Sequence, residues 1–227
     1  MGKRISMSEA DHRIVTDAVA KAEQQTDAEI VTIVARRSDA YHDVGLHWSL
    51  LFMLLVPLIA AAFPVDYEAA LIWLLGGWSL ELPRHMLFLL MFGQMCLHFL
   101  IMRYLLAIPS LRMLVTPGAT KSRRVRRRAL LLFRTAAEAR TARLTGMLLY
   151  LSLDEHRAEI VADEAIASKV APEVWGEAMA ALVEEVRAGR VAEGMALAIE
   201  KAAPILAEHC PKSHANPNEL PDRLIEL

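Results

Sequence analysis

Seven carboxylates gather around two short apolar runs. Asp27 and Glu29 stand at the start of residues 30–35. Asp154 and Glu155 precede residues 157–162, Glu159 lies within that run, and Asp163 and Glu164 follow it. Hard divalent cations take oxygen ligands, so Asp27, Asp163 and Glu164, drawn from neighbouring loops, are the set that could hold Ca²⁺ or Mg²⁺. The competing reading makes them ordinary turn and cap carboxylates, and it is the stronger one because the chain lacks a dense D-x-D-x-D-G ligand loop. His156, beside Glu155 in a predicted turn, has the chemistry of a general acid or base, but a solvated turn histidine explains it as well. His209, Cys210 and His214 are potential zinc ligands at a spacing that matches no compact zinc motif. No P-loop, nucleophile elbow or dinucleotide fingerprint occurs. The expectation is therefore no assigned catalytic residue and no cofactor, with Ca²⁺ or Mg²⁺ as the alternative.

Two further sets suit binding better than catalysis. Arg123, Arg124, Arg126, Arg127 and Arg128 form a basic run with no aromatic residue interleaved, in a chain whose net charge is −2. The run follows an apolar segment directly. Attraction to anionic lipid headgroups and a topology signal account for it better than nucleic acid does. Gln94 and His98 lie four residues apart within that apolar segment, on one helical face, where polar groups in a bilayer contact another helix of the same hairpin or of an oligomer.

The apolar block of residues 46–108 positions everything else. Residues 47–63 and 86–102 carry no charge, and each is near the roughly 17 to 25 residues needed to cross a hydrocarbon core of about 30 Å. They predict two transmembrane helices. Residues 69–80 between them are apolar but too short to span and contain Gly76-Gly77. They read as an interfacial or re-entrant stretch with Trp73 and Trp78 at headgroup level. Arg36 and Arg37 precede the block, and Arg112, Lys121 and the arginine run follow it. The connection holds Asp66, Glu68 and Glu81 against Arg84. Retention of lysine and arginine on the cytoplasmic side places both flanks there. The two cysteines, Cys96 and Cys210, imply no disulfide framework.

The flanks read as one α/β domain cut in two. Ser8 caps a helix over residues 8–24, with Asp11 three residues on as an acidic capping box. The β-branched run 30–35 is a buried strand. A helix from near Thr120 should turn Leu130, Leu131, Phe133, Ala136 and Ala137 inward. Residues 147–153 and 157–162 form a β-hairpin around Asp154, Glu155 and His156. Two helices close the domain. The first carries Trp175, Ala178, Leu182, Val183 and Val186 and ends at Gly189; the second runs over residues 191–208. The strand at 30–35 has no partner on its own side, and a lone strand cannot satisfy its backbone. Its partners are expected in the hairpin, which makes the membrane pair an insertion. The expected parts are 1–40 and 112–210 for the domain, 41–111 for the hairpin, and a disordered tail over 211–227, rich in proline.

AEQQTDAEIV (residues 22–31), TGMLLYLSLDEHRAEIVADEAI (145–166), Trp175 and RAGRVAEGMALAI (187–199) together resemble the TPM domain family, in particular bacterial members with a membrane hairpin inserted after the first strand. The resemblance implies a small three-layer α/β sandwich. It also implies either an assembly, maintenance or auxiliary factor for a membrane protein complex, or a metal-dependent acid phosphatase. Fold membership does not choose between them. Here Thr145 stands before Gly146 where many members have Asp or Asn, and Ala162-Asp163-Glu164-Ala165 replaces a glycine-rich loop. The expectation is thus a non-enzymatic, multi-pass protein of the bacterial inner membrane, working through a membrane protein partner, with homo-oligomerisation possible.

Overall fold

A computed structural model describes residues 7–77, 82–136, 145–170, 172–213 and 222–227. In chain order the elements are α1 (Glu9–Glu23), β1 (Glu29–Ala35), α2 (His42–Ala62), α3 (Pro64–Leu74), α4 (Arg84–Leu105), α5 (Pro109–Val115) and α6 (Gly118–Ala136). There follow β2 (Gly146–Ser152), β3 (Arg157–Ala162), α7 (Glu164–Ala167), a 3-10 turn at Pro172–Trp175, α8 (Gly176–Arg187), α9 (Val191–His209) and β4 (Ile225–Glu226). They fall into two compact units, residues 1–40 with 117–227, and residues 41–116.

The first unit is mixed α/β, built on a four-stranded sheet in the order β3-β2-β1-β4. β1 and β2 run parallel in continuous register from Glu29↔Gly146 to Ala35↔Ser152. All residues of both strands are buried. Strands covered on both faces read as unbroken apolar runs rather than as alternation, and EIVTIVA and GMLLYLS do so. β3 returns antiparallel to β2, from Met147↔Ala162 to Ser152↔Arg157. Alternation of side chains divides the sheet between two cores. Ile30, Val34, Met147, Leu149 and Leu151 pack with α1, α8 and α9. Val31, Ile33, Ala35, Leu148 and Tyr150 pack with Val125, Ala129 and Phe133 of α6.

Local chemistry sets the helix ends. Ser8 Oγ accepts from the Asp11 amide at 3.1 Å, and the Ser8 amide donates to Asp11 Oδ2 at 2.8 Å. That is the reciprocal capping box expected there. After α8, Gly189 takes φ +83°. Its amide bonds Val186 O at 3.0 Å, and the Arg190 amide bonds Glu185 O at 3.0 Å, the Schellman arrangement that glycine allows. Gly194 then lets α9 approach α8, since a Cβ there would lie 2.8 Å from Glu185 Cβ.

Two expectations need correction in this unit. α6 starts at Gly118 and its buried stripe is Val125, Ala129 and Phe133, at i, i+4 and i+8. Leu130 and Leu131 are therefore rotated outward, 38% and 53% exposed; Ala137 lies outside the described residues. The tail is also not disordered where described. Pro211 bridges Thr26, and β4 pairs parallel with β1 at Ile33↔Ile225 and Val34↔Glu226. Leu224 is buried in the core behind it. The open edge of β1 offers backbone groups that a strand can satisfy, and Leu-Ile-Glu-Leu is apolar enough to take them.

In the second unit, α2 and α4 are each long and apolar enough to cross a membrane, and they pack on each other. α3 is an 11-residue helix, too short to span. Trp78 lies outside the described residues. α4 ends at Leu105 and Pro109 opens α5, where its missing N–H and fixed φ are compatible with the first turn. On α5, Arg112 is buried, with its guanidinium 3.1 Å from His42 Nδ1.

Among the described residues, Thr32 Oγ1 is a buried side-chain oxygen without a hydrogen-bond partner. By alternation it shares the face of Ile30 and Val34, against the larger core. An unsatisfied buried hydroxyl costs about 1 to 3 kcal/mol relative to an apolar group of the same shape. Thr32→Val should therefore raise stability by about 1 kcal/mol, read as a higher thermal midpoint of the purified protein. A lower midpoint would mean that the hydroxyl is satisfied.

Candidate functional site

The carboxylates at the start of β1 and β2 hold the backbone together. Asp163 Oδ2 accepts from the Gly146 amide at 2.7 Å, while the Asp163 amide donates to Gly146 O at 2.9 Å. Asp27 accepts from the Ser213 amide at 2.9 Å and from Ser213 Oγ at 2.6 Å. The Asp27 carbonyl takes Thr145 Oγ1 at 3.1 Å. Asp27 and Asp163 are thus brought to successive residues, Thr145 and Gly146, at one end of the parallel pair. Both are buried, whereas Glu164 is exposed on α7. Among the described residues, no group of three or more His, Cys, Asp or Glu side chains stands in position to hold a metal ion. Cys210 is buried, with its thiol pushed up by burial. His214 lies outside the described residues.

Glu23 is the group that sequence reasoning missed. The Glu29 amide bonds across to Thr145 O, so alternation turns the Ile30 amide to the opposite edge of β1, ahead of where β4 begins. Glu23 Oε1 fills that position, accepting from Ile30 N at 2.8 Å. The carboxyl is only 9% exposed. Burial pushes it up to about 8; Asp222 and Glu29 push the same way, and the Ile30 amide and Lys212 oppose. A glutamate at the last position of a helix carries no sequence signal for this role.

At the other end of the strands a polar network closes the β2–β3 turn. Ser152 Oγ hydrogen-bonds Glu155 Oε2, and Glu155 Oε1 accepts from the Ser38 amide at 2.9 Å. Ser38 Oγ lies 3.0 Å from Tyr150 OH. Arg37 Nε pairs with Asp154 Oδ2 at 3.0 Å. A hydroxyl beside a carboxylate has the elements of a nucleophile and its base, but Ser152 is 0% exposed, so no substrate reaches it. The network ties the end of β1 to the hairpin. His156 is exposed and takes the left-handed position of the turn, φ +50°. Beside it runs a groove of about 420 Å³ along the free side of β3, lined in part by Ser122, Arg157, Glu159, Met179, Val183 and Arg187.

The arginine run divides by helical phase. Arg124 reaches Asp39 Oδ2 at 3.0 Å and Arg128 is half-buried, its charge acting on Tyr150, whose phenol burial raises. These two belong to the fold rather than to a lipid surface. Arg123, Arg126 and Arg127 are exposed, on the side that also carries Leu130 and Leu131. In the second unit Gln94 is brought to Tyr67 of α3, which donates to Gln94 Oε1 at 2.7 Å. His98 instead turns its Nδ1 to Gln94 O, 2.8 Å away.

No family model and no curated protein matches the chain. Among solved structures it is similar to the NMR structure of BA42 protein from the psychrophilic bacteria Bizionia argentinensis sp. nov. The TM-score is 0.55 at 15% identity, with 98% of this chain and 97% of that chain covered. At that identity the likeness is one of fold.

Glu23 makes the first unit sensitive to pH. Its folded-state value, about 8, lies above the ordinary 4.5. The folded state therefore keeps a proton that the unfolded chain has lost, and stability falls as pH rises between those values. Glu23→Gln keeps an acceptor for Ile30 N and cannot ionise. The thermal midpoint of the variant should match the wild type near pH 5 and exceed it increasingly toward about pH 8.5. Parallel profiles would show that Glu23 does not carry the dependence.

Proposed function

We propose that this is a membrane-anchored α/β module that works through a membrane protein partner, as a non-enzymatic assembly, maintenance or auxiliary factor. The observation that carries the reading is the place of the apolar pair. α2 and α4 lie in the chain between β1 and β2, which pair along their whole length. Both ends of the pair must then return to one side of a bilayer, as an even number of crossings provides. Leu54, Leu58, Phe88 and Phe92 are more than half exposed on these helices, as lipid-facing side chains are. We read the helix-covered sheet as a three-layer sandwich of the TPM type. We place the first unit in the cytoplasm of a bacterium, at its inner membrane, on the strength of Arg36, Arg37, Arg112 and Lys121 flanking the pair.

The second reading is a metal-dependent acid phosphatase using Ca²⁺ or Mg²⁺ at Asp27, Asp163 and Glu164. What favours it is that Asp27 and Asp163 are both buried where β1 and β2 begin, the Asp27 backbone carbonyl at Thr145 and the Asp163 carboxylate at Gly146. An assay of the full chain in detergent with p-nitrophenyl phosphate, with and without Ca²⁺, Mg²⁺ or Mn²⁺, separates the two. The anchored module should show no metal-dependent turnover. Turnover that disappears in Asp163→Asn, a change that keeps an acceptor for Gly146 N, would overturn the non-enzymatic reading.

A further inference from the structure

α6 is a 19-residue helix with two different faces. Val125, Ala129 and Phe133, with the half-buried Leu132 beside them, close one core of the sheet. Away from that stripe Arg123, Arg127, Leu130 and Leu131 are exposed; Arg126, also exposed, flanks the stripe, and its charge acts on Glu159 of β3. No acidic residue occurs anywhere in residues 118–136. A helix that covers a sheet needs one apolar stripe; the two leucines on the cationic side serve no core. Isolated exposed leucines are ordinary, but leucines one turn beyond an arginine cluster make the composition of a helix lying in a membrane interface.

We propose that this face of α6 docks on the surface of an anionic bilayer. Arg123, Arg126 and Arg127 take lipid phosphates, for which the guanidinium fork is suited. Leu130 and Leu131 enter the edge of the hydrocarbon. The charge of the face, without a carboxylate on its own helix, fits anionic headgroups, and α6 follows α4 and α5 directly in the chain. Arg124 and Arg128 have no part in the contact: Arg124 pairs with Asp39, and Arg128 is half-buried. The inference rests on the anchored reading and deepens it. The first unit is held against the leaflet rather than merely tethered to it.

The test uses the full chain with Cys96→Ser and Cys210→Ala and a single new cysteine, Leu131→Cys, carrying an NBD fluorophore. The protein is reconstituted into vesicles of dioleoylphosphatidylcholine, alone or with dioleoylphosphatidylglycerol. Blue-shifted emission protected from aqueous iodide is expected in the anionic vesicles. Emission typical of water is expected in the neutral vesicles, and in the anionic ones once Arg123, Arg126 and Arg127 are all glutamine. Circular dichroism shows whether that variant is folded; if it is not, high salt in place of the substitutions supplies the comparison, since surface attraction is screened. Equal emission in the two vesicle types, or protection that survives both the glutamines and salt, overturns the proposal. Flotation at alkaline pH judges the anchored reading separately. A chain that leaves the vesicles refutes anchoring, while the fluorophore before extraction still decides the face.

Discussion

Parallel pairing of β1 with β2 is the constraint on which the rest depends. Antiparallel neighbours can be joined by a tight turn, but parallel strands need a crossover. Here the crossover holds α6 and the whole unit of residues 41–116. Asp27 and Thr145, bonded at the start of the ladder, are 118 positions apart. Closing so long a loop costs entropy before any strand bond forms, although the cost grows only slowly with length. β1 has no earlier partner among the described residues, so the first unit is not complete until β2 has been made.

The edges of the ladder explain the buried carboxylates. The start of β2 is held by Asp163, the approach to β1 by Asp27, the open side of Ile30 by Glu23, and the hairpin turn by Glu155. Each accepts a backbone N–H at a point where the sheet offers no carbonyl. Charged acceptors make short, strong hydrogen bonds, and burial charges a desolvation penalty for them. Glu23 shows that penalty most plainly. A carboxylate cluster in a sequence of this kind is as readily the hardware of strand ends as it is a cation site.

The periodic elements are legible in the sequence. The Ser8 cap, the β-branched run of β1, the hairpin, the stripe through Trp175, Ala178, Leu182 and Val186, and Gly189 all follow from local spacing. Two apolar helices were equally plain from composition. What failed was non-local or ambiguous in phase. Leu130, Leu131 and Leu132 form an apolar run with no period, so only packing against Ile33 and Leu148 sets which of them turns inward. β4 is two residues long, and its reason to exist is the far edge of β1. Asp222, just ahead of that strand, acts on Glu23 from the other end of the chain. The arginine run looked uniform, yet Arg124 and Arg128 are taken by the fold while Arg123, Arg126 and Arg127 are not buried. Only three of the five sequence candidates for lipid contact therefore stay on an open face.

The most direct measurement removes the inserted unit. Residues 1–40 joined to 117–227 through a glycine-serine linker should give a dispersed amide spectrum, with cross-strand contacts linking Ile30 to Met147 and Val34 to Leu151 as the register requires. Residues 1–40 alone should give the narrow dispersion of an unfolded chain. A folded spectrum from residues 1–40 alone, or a folded fusion without the β1–β2 contacts, would contradict the split domain and the anchored module built on it.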